Sequence, residues 1–222
     1  MCGIFGIIGD LIPNNDLRIL QNYSEQRGRD SSGIFTNCSD EYHLYRANYK
    51  LSKLLKEADL KEVKAIIGHS RLVTNGMEDN QPVYRDDVCV IHNGIIVNCD
   101  ELWEETTNRR LKEIDTEIIA VIIAEHLEKG GSVVTAADSV LEKCRGVVAC
   151  AISLPKLGKL CLFSNNGSLY YGKKNDTHYF ASERYPLLSA KCEDIEQIRT
   201  EAKVIDIPKT VNAPIFHEFS EP

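Results

Sequence analysis

The sequence predicts an α+β fold in which antiparallel sheets carry helices on their outer faces. Strand-like segments come in blocks, two consecutive helical segments follow at 114–131 and 132–144, and more strands come after them. This order differs from the regular alternation of strands and helices that is typical of a parallel sheet. With no internal repeat or linker-like stretch, we expect one domain over residues 1–207 and an extended tail over 208–222.

Hydrophobic periodicity defines the individual elements. Residues 2–8 are apolar and predict a buried strand, whereas Leu17, Leu20 and Tyr23 recur at helical spacing within 14–27. The longest predicted helix, 114–131, is apolar around most of its circumference and ends at two glycines. Further strands are expected at 34–35, 41–47, 65–71, 88–98, 147–154, 159–164, 168–173, 178–182 and 203–208.

The composition excludes several function classes. The 222 residues carry a net charge of −7, so there is no positive surplus with which to bind nucleic acid. No stretch reaches the roughly 18 apolar residues of a transmembrane helix. The first residues lack the basic region of a signal peptide, and Asp10 and Pro13 interrupt the apolar run. We therefore expect a cytoplasmic protein with no membrane partner.

The chain contains eight cysteines, of which Cys2 has the most unusual position. Disulfide frameworks belong mainly to short secreted chains, and zinc sites need paired spacings such as CxxC that this sequence lacks. We expect the other seven to be small apolar core or inert surface residues, and we predict no metal and no cofactor.

Cys2 has distinctive chemistry if Met1 is removed. The residue then carries an α-amine with a pKa of about 7.7–8.0 beside a thiol with a pKa of about 8.5. The amine can act as a general base for its own nucleophilic thiol. The alternative is that Cys2 is an ordinary apolar residue of an early strand.

Four other residues suit chemistry on a small amide. Asn93 and Gly94 offer a side-chain and a backbone N–H to an oxyanion, with glycine allowing close approach and positive φ, although Asn-Gly also favours a hairpin turn. Arg71 can form a fork to a carboxylate. Asp115 can accept from an ammonium group or cap the helix that follows it.

These segments resemble a class II glutamine amidotransferase domain of the N-terminal nucleophile hydrolase superfamily. The matching motifs are MCGIFGIIG, RGRDSSGI, GHSRLVTNG, HNGIIVN and IDTEIIA, which occur in the family's order. The domain resembles the glutaminase domains of glucosamine-6-phosphate synthase and amidophosphoribosyltransferase. The resemblance implies a four-layer αββα sandwich.

The resemblance also implies roles for individual residues. Cys2 would be the nucleophile, Arg27 would support it, and the oxyanion hole would be formed by Asn93 and Gly94. L-Glutamine would be held by Arg71 at its carboxylate, by Asp115 at its ammonium group and by Thr74 in the pocket loop. Hydrolysis would give glutamate and ammonia, the latter for a synthase subunit in trans.

The sequence leaves the ammonia acceptor open. Leu72 and Asn75 replace a tryptophan and a histidine that phosphosugar aminotransferases usually carry, and Ile95 replaces a glutamate of asparagine synthetases. Two alternatives to a glutaminase remain: a catalytically silent regulatory module of the same fold, and an amidase for another amide. His69, which follows a buried strand, is expected to be a structural residue with its hydrogen bonds satisfied.

Overall fold

A computed structural model describes residues 2–72 and 79–220 of the chain. Its described strands form one sheet of eight, one of five and one of two. The strands are β1 Gly3–Ile8, β2 Ser31–Cys38, β3 Glu41–Ala47, β4 Val63–Arg71, β5 Val83–Arg85, β6 Val88–His92, β7 Ile95–Ile96, β8 Gly146–Val147, β9 Ala149–Leu154, β10 Lys159–Ser164, β11 Tyr170–Lys174, β12 Thr177–Ala181, β13 Glu193–Gln197, β14 Lys203–Asp206 and β15 Ile215–Phe219.

The helices fall into an early group, a middle group and one late helix. They are α1 Asn14–Arg27, α2 Leu51–Glu57, α3 Cys99–Glu105, α4 Thr116–Glu128, α5 Val133–Lys143 and α6 Arg184–Ser189. The predicted helix over 114–131 is therefore real but shorter, and α5 begins where expected, because Ser132 and Thr135 form a capping box. No helix in the described part of the chain is long and apolar enough to cross a membrane.

Three apolar cores separate four layers. Helices α1, α2 and α6 pack on the outer face of the eight-stranded sheet, and α4 and α5 pack on that of the five-stranded sheet. The middle core, with Phe35, Leu162 and Phe180, lies between the two sheets. This αββα arrangement confirms the predicted α+β sandwich.

The first strand occupies the centre of the larger sheet, whose order is β13-β11-β12-β1-β4-β2-β3-β15. Phe5 pairs with Ala181 on one side and with Gly68 on the other, both antiparallel. A strand hydrogen-bonded on both edges has little freedom, so the residue just before it, Cys2, is held at the end of a rigid element.

Two strand pairings were not predicted from the sequence. The apolar run over 88–98 is not one strand, because it breaks after His92 and its second part, β7, pairs with β8. Within the predicted tail, β15 is extended and pairs in parallel with β3, with Ile215 opposite His43. Residues from the end of the chain thus form the eighth strand of the sheet that contains its beginning.

Candidate active site

The main chain of Cys2 is anchored at its own carbonyl group and at Ile4. The carbonyl oxygen of Cys2 accepts a hydrogen bond of 2.8 Å from Nε of Arg27, the last residue of α1. Two residues on, the amide of Ile4 donates to Oγ of Ser182 at 2.9 Å, and the Ser182 amide donates back to the Ile4 carbonyl. These bonds fix the backbone from which the thiol projects. Arg27 also forms an ion pair with Glu183.

The Cys2 thiol faces a cavity of about 220 Å³. Its sulfur lies 3.9 Å from the carbonyl oxygen of Leu72. The lining residues are Cys2, Leu72, Asn93, Gly94, Ile95, Val147 and Asn166. The cavity is large enough for an amino acid side chain, and it brings together three of the predicted catalytic residues: Cys2, Asn93 and Gly94.

Asn93 and Gly94 do not form a hairpin turn, because the strands on either side of them, β6 and β7, belong to different sheets. The main-chain N–H of Asn93 donates to the Ala149 carbonyl at 2.9 Å, which fixes the backbone from which its side chain projects. A Cβ on Gly94 would lie 1.8 Å from the Val147 oxygen. The glycine is therefore needed for close approach; its φ is outside the positive region, contrary to the expectation from sequence.

Arg71 ends β4 and is only 4% exposed. The neighbouring loop packs directly on its backbone, since a Cβ on Gly28 would lie 2.3 Å from the Arg71 carbonyl carbon. The Asp30 amide donates to the Arg71 carbonyl oxygen at 3.0 Å, and Nη1 of Arg71 donates to the carbonyl oxygen of Asp79. The main-chain carbonyl of Asp79 thus helps to orient the Arg71 guanidinium.

Asp115 does not cap α4 with its side chain. Its Oδ2 instead accepts a hydrogen bond of 2.9 Å from the Ile96 amide, and its Oδ1 lies 3.8 Å from Nδ1 of His92. The carboxylate therefore reaches the segment that contains Asn93 and Gly94. The capping alternative is wrong because the Ile96 amide, rather than an amide of the first turn of α4, supplies the donor.

Thr74 and Asn75 lie outside the described residues. Several residues that the sequence did not single out contact the candidate site: Asp79, Gln81, Ser182 and Glu183. None of them carries a spacing or composition signal. The described residues contain no group of three or more His, Cys, Asp or Glu side chains placed to hold a metal ion.

His69 lies on β4, fully buried, two residues before Arg71. Neither ring nitrogen has a hydrogen-bond partner among the residues that the structure describes, so the expectation of satisfied hydrogen bonds is wrong. Burial, with smaller contributions from Arg71 and His92, lowers the pKa of His69 to about 3. The His69 ring is therefore neutral at physiological pH and adds no positive charge beside Arg71.

The cysteines divide as predicted. Seven are buried and only Cys2 is partly accessible. Burial raises the pKa of the Cys144, Cys161 and Cys192 thiols to about 12, and it holds the pKa of Cys150 well above its ordinary value. These thiols stay protonated, and thus weakly nucleophilic, at neutral pH.

Comparison with known families agrees with this geometry. The model of a family described as "Glutamine amidotransferase domain" matches residues 69–189, which is more than half of the chain. The chain belongs to the glutamine amidotransferase domain family. This confirms the resemblance inferred from the motifs, and the match includes Arg71, Asn93, Gly94 and Asp115.

Curated relatives of this glutamine amidotransferase domain include two glutamine–fructose-6-phosphate aminotransferases (isomerizing). The enzyme from Zymomonas mobilis is 34% identical over 212 residues, which are 89% of this chain and 34% of that protein. The enzyme from Helicobacter pylori is 30% identical over 193 residues, 82% of this chain and 32% of that protein. The chain therefore spans about a third of the length of these relatives.

The fold is also found in a solved structure of a glutamine phosphoribosylpyrophosphate amidotransferase from B. subtilis, complexed with ADP and GMP. The TM-score is 0.72 at 20% identity, over 95% of this chain and 50% of that one. A structure described as the allosteric regulatory enzyme of purine biosynthesis matches with a TM-score of 0.73 at 21% identity. At these identities the likeness concerns the fold.

Proposed function

We propose that this glutamine amidotransferase domain hydrolyses the side-chain amide of L-glutamine with Cys2 as nucleophile. The observation that carries the proposal is the shared cavity of about 220 Å³, lined by the Cys2 thiol and by Asn93 and Gly94. After removal of Met1, the α-amine of Cys2 takes the thiol proton and the thiolate attacks the amide carbon.

Charge then develops on the amide oxygen. The side-chain NH2 of Asn93 and the backbone N–H of Gly94 donate to it, and each such donor is worth about 2.7–4 kcal/mol in the transition state. The protonated amine gives its proton to the leaving nitrogen, ammonia departs, and a thioester remains. The amine next deprotonates a water molecule, which attacks the thioester and releases glutamate with the thiol restored.

Two charged residues, Arg71 and Asp115, recognise the substrate. Arg71 binds the α-carboxylate of glutamine and Asp115 binds its α-ammonium group. The contact of Asp115 with the Ile96 amide supports this role, because it holds the carboxylate beside the oxyanion segment. From the family resemblance we also assign Thr74 to glutamine binding, and Arg27 supports Cys2 through its carbonyl oxygen.

Ammonia would pass to a synthase, which we propose is a separate subunit. Leu72, Ile95 and Val147 are apolar, exposed by 41–51%, and line the cavity. Such exposed apolar side chains are typical of interaction surfaces. Co-purification from the native host tests the arrangement; a chain that continues into its own synthase domain would contradict it.

Glutamate release from glutamine is the direct test. We expect turnover by the chain whose mass shows Met1 removed, none by Cys2→Ala, and a fall in kcat of about 10²–10³-fold for Asn93→Ala. A panel of other amides separates glutamine from the amidase alternative. If the processed chain does not hydrolyse glutamine with or without its partner, the silent-module alternative is favoured.

A further inference from the structure

Three consecutive side chains, Asp79, Asn80 and Gln81, connect different parts of the candidate active site. Asn80 is the anchor: its Nδ2 donates to the carbonyl oxygens of Ser32 at 2.9 Å and Ala47 at 3.1 Å. Its Oδ1 accepts from the Gln81 amide at 2.8 Å. These bonds attach residues 79–81 to the start of β2 and the end of β3, so the segment is held rigidly against the larger sheet.

Asp79 connects this segment to the substrate side of the site. Its carboxylate accepts hydrogen bonds from the amides of Glu113 and Ile114 and from Nζ of Lys112. These residues immediately precede Asp115. The carbonyl oxygen of Asp79 accepts from Arg71. One residue therefore contacts both the proposed carboxylate-binding arginine and the loop that presents the proposed ammonium-binding aspartate.

Gln81 connects the same segment to the oxyanion side. Its Oε1 accepts from the His92 amide at 2.6 Å, and its Nε2 donates to the His92 carbonyl at 3.0 Å. The buried side-chain amide thus pairs with the main chain as a neighbouring strand would. His92 is followed directly by Asn93 and Gly94, so Gln81 fixes the point from which the oxyanion donors extend.

We propose that Asp79–Gln81 is a positioning segment that holds the two halves of the active site in register. Asp79 sets glutamine affinity through Arg71 and Asp115, whereas Gln81 sets the rate of the chemical step through Asn93 and Gly94. This inference rests on the proposed function. It assigns glutamine affinity to Asp79 and the rate of turnover to Gln81, two positions further along the chain. Preorganised donors lose much of their effect when displaced by about 1 Å.

The first experiment is a split of KM against kcat. We expect Asp79→Asn to raise KM about tenfold with a much smaller change in kcat, because the loop before Asp115 loses its charge-assisted contacts with the carboxylate. The main-chain contact of Asp79 with Arg71 is retained in this variant. Gln81→Leu should lower kcat by about tenfold or more with a much smaller change in KM. Asp10→Asn and Gln26→Leu, at exposed positions, are the matched controls. Equal effects of the two test variants on KM and kcat would indicate a merely structural role and overturn the proposal.

The second experiment uses Gln81→Glu and a pH series. The ionised carboxyl can only accept from His92, whereas the protonated carboxyl can also donate to its carbonyl oxygen. The kcat of this variant, relative to the unsubstituted chain at the same pH, should therefore rise as the pH falls from about 8 toward about 5, the range in which a buried carboxyl with a raised pKa takes up its proton. A ratio that is flat with pH contradicts the role of Gln81.

Calorimetry distinguishes failure of this inference from failure of the proposed function. In a Cys2→Ala background, Asp79→Asn should weaken glutamine binding about tenfold and Gln81→Leu should change it little. If the processed chain has no glutaminase activity but Cys2→Ala binds glutamine with this pattern, the proposed function fails and the assignment of Asp79 stands. Active protein with unaffected variants overturns the inference alone, and absence of glutamine binding by Cys2→Ala overturns both.

Discussion

Nε of Arg27 donates a hydrogen bond of 2.8 Å to the carbonyl oxygen of Cys2. The contact links the end of α1 to the residue before β1, so the helix orients the nucleophile without touching its sulfur. Arg27→Ala should therefore reduce kcat/KM by up to about 10²-fold, the cost of a displacement of about 1 Å in a reacting group.

Steady-state kinetics on purified variants measures this effect. Arg29→Ala is the control, because Arg29 is exposed, lies two positions away, and donates a long hydrogen bond of 3.4 Å to the carbonyl oxygen of Glu25 rather than to Cys2. Equal activities for the two variants would show that Arg27 does not orient Cys2.

Asp115 combines a structural contact with a proposed binding role, and Asp115→Asn separates them. The amide retains an oxygen that can accept from Ile96, but it lacks the negative charge for an α-ammonium group. KM should rise about 10- to 100-fold, with kcat less affected, since a charged hydrogen bond contributes about 1.5–3 kcal/mol. Asp100→Asn, at a surface position, should leave KM unchanged. An unchanged KM for Asp115→Asn would remove this residue from the binding site.

Glu117 organises the loop before Asp115 and is 1% exposed. It accepts hydrogen bonds from Nη1 of Arg85 at 2.8 Å and from the amides of Leu111 at 3.0 Å and Lys112 at 2.9 Å. Glu117→Gln removes the buried one of the two carboxylates that pair with the Arg85 guanidinium, leaving the half-exposed Asp86, and it replaces one accepting oxygen by an NH2 group. We expect the free energy of unfolding to fall by about 2–4 kcal/mol in urea titrations.

The control for this stability measurement is Glu128→Gln. Glu128 is the last residue of the same helix and is exposed, so its substitution should change the free energy of unfolding by less than about 0.5 kcal/mol. Similar values for both variants would contradict a role of Glu117 in ordering the loop.

His69 predicts a pH dependence of stability. Its pKa is lowered to about 3 in the folded chain from the ordinary value of 6.5, mainly by burial. Below about pH 6.5, His69 of the unfolded chain binds a proton that the folded chain excludes. The contribution of the neutral, buried ring to the free energy of unfolding is therefore fully present above that pH and is lost as the pH falls toward 3. The loss is on the order of a few kcal/mol.

Urea unfolding of the unsubstituted chain and of His69→Leu between about pH 7 and pH 5 measures this dependence. The variant should lose less stability over that interval, because the titrating group is gone. His126→Gln, on α4, should keep the slope of the unsubstituted chain. Identical slopes for the unsubstituted chain and His69→Leu would assign the pH dependence to other groups.

Most of the elements were predictable because they depend on short-range patterns. Apolar residues at helical spacing define α1 and α4, and a serine with a threonine three residues later begins α5. The residues with candidate chemistry, among them Cys2, Arg71 and Asn93, were likewise recognisable from residue type and motif order. Such signals need no knowledge of distant contacts.

The supporting contacts were decided only by the tertiary structure. Arg27 and Glu183 are 156 positions apart, and Gln81 meets His92 only because β6 ends beside the positioning segment. The same holds for β15, whose parallel pairing with β3 depends on a free sheet edge rather than on its own five residues. Hydrogen bonds of this kind follow from the order of strands in the sheets, which a local pattern of apolar residues does not encode.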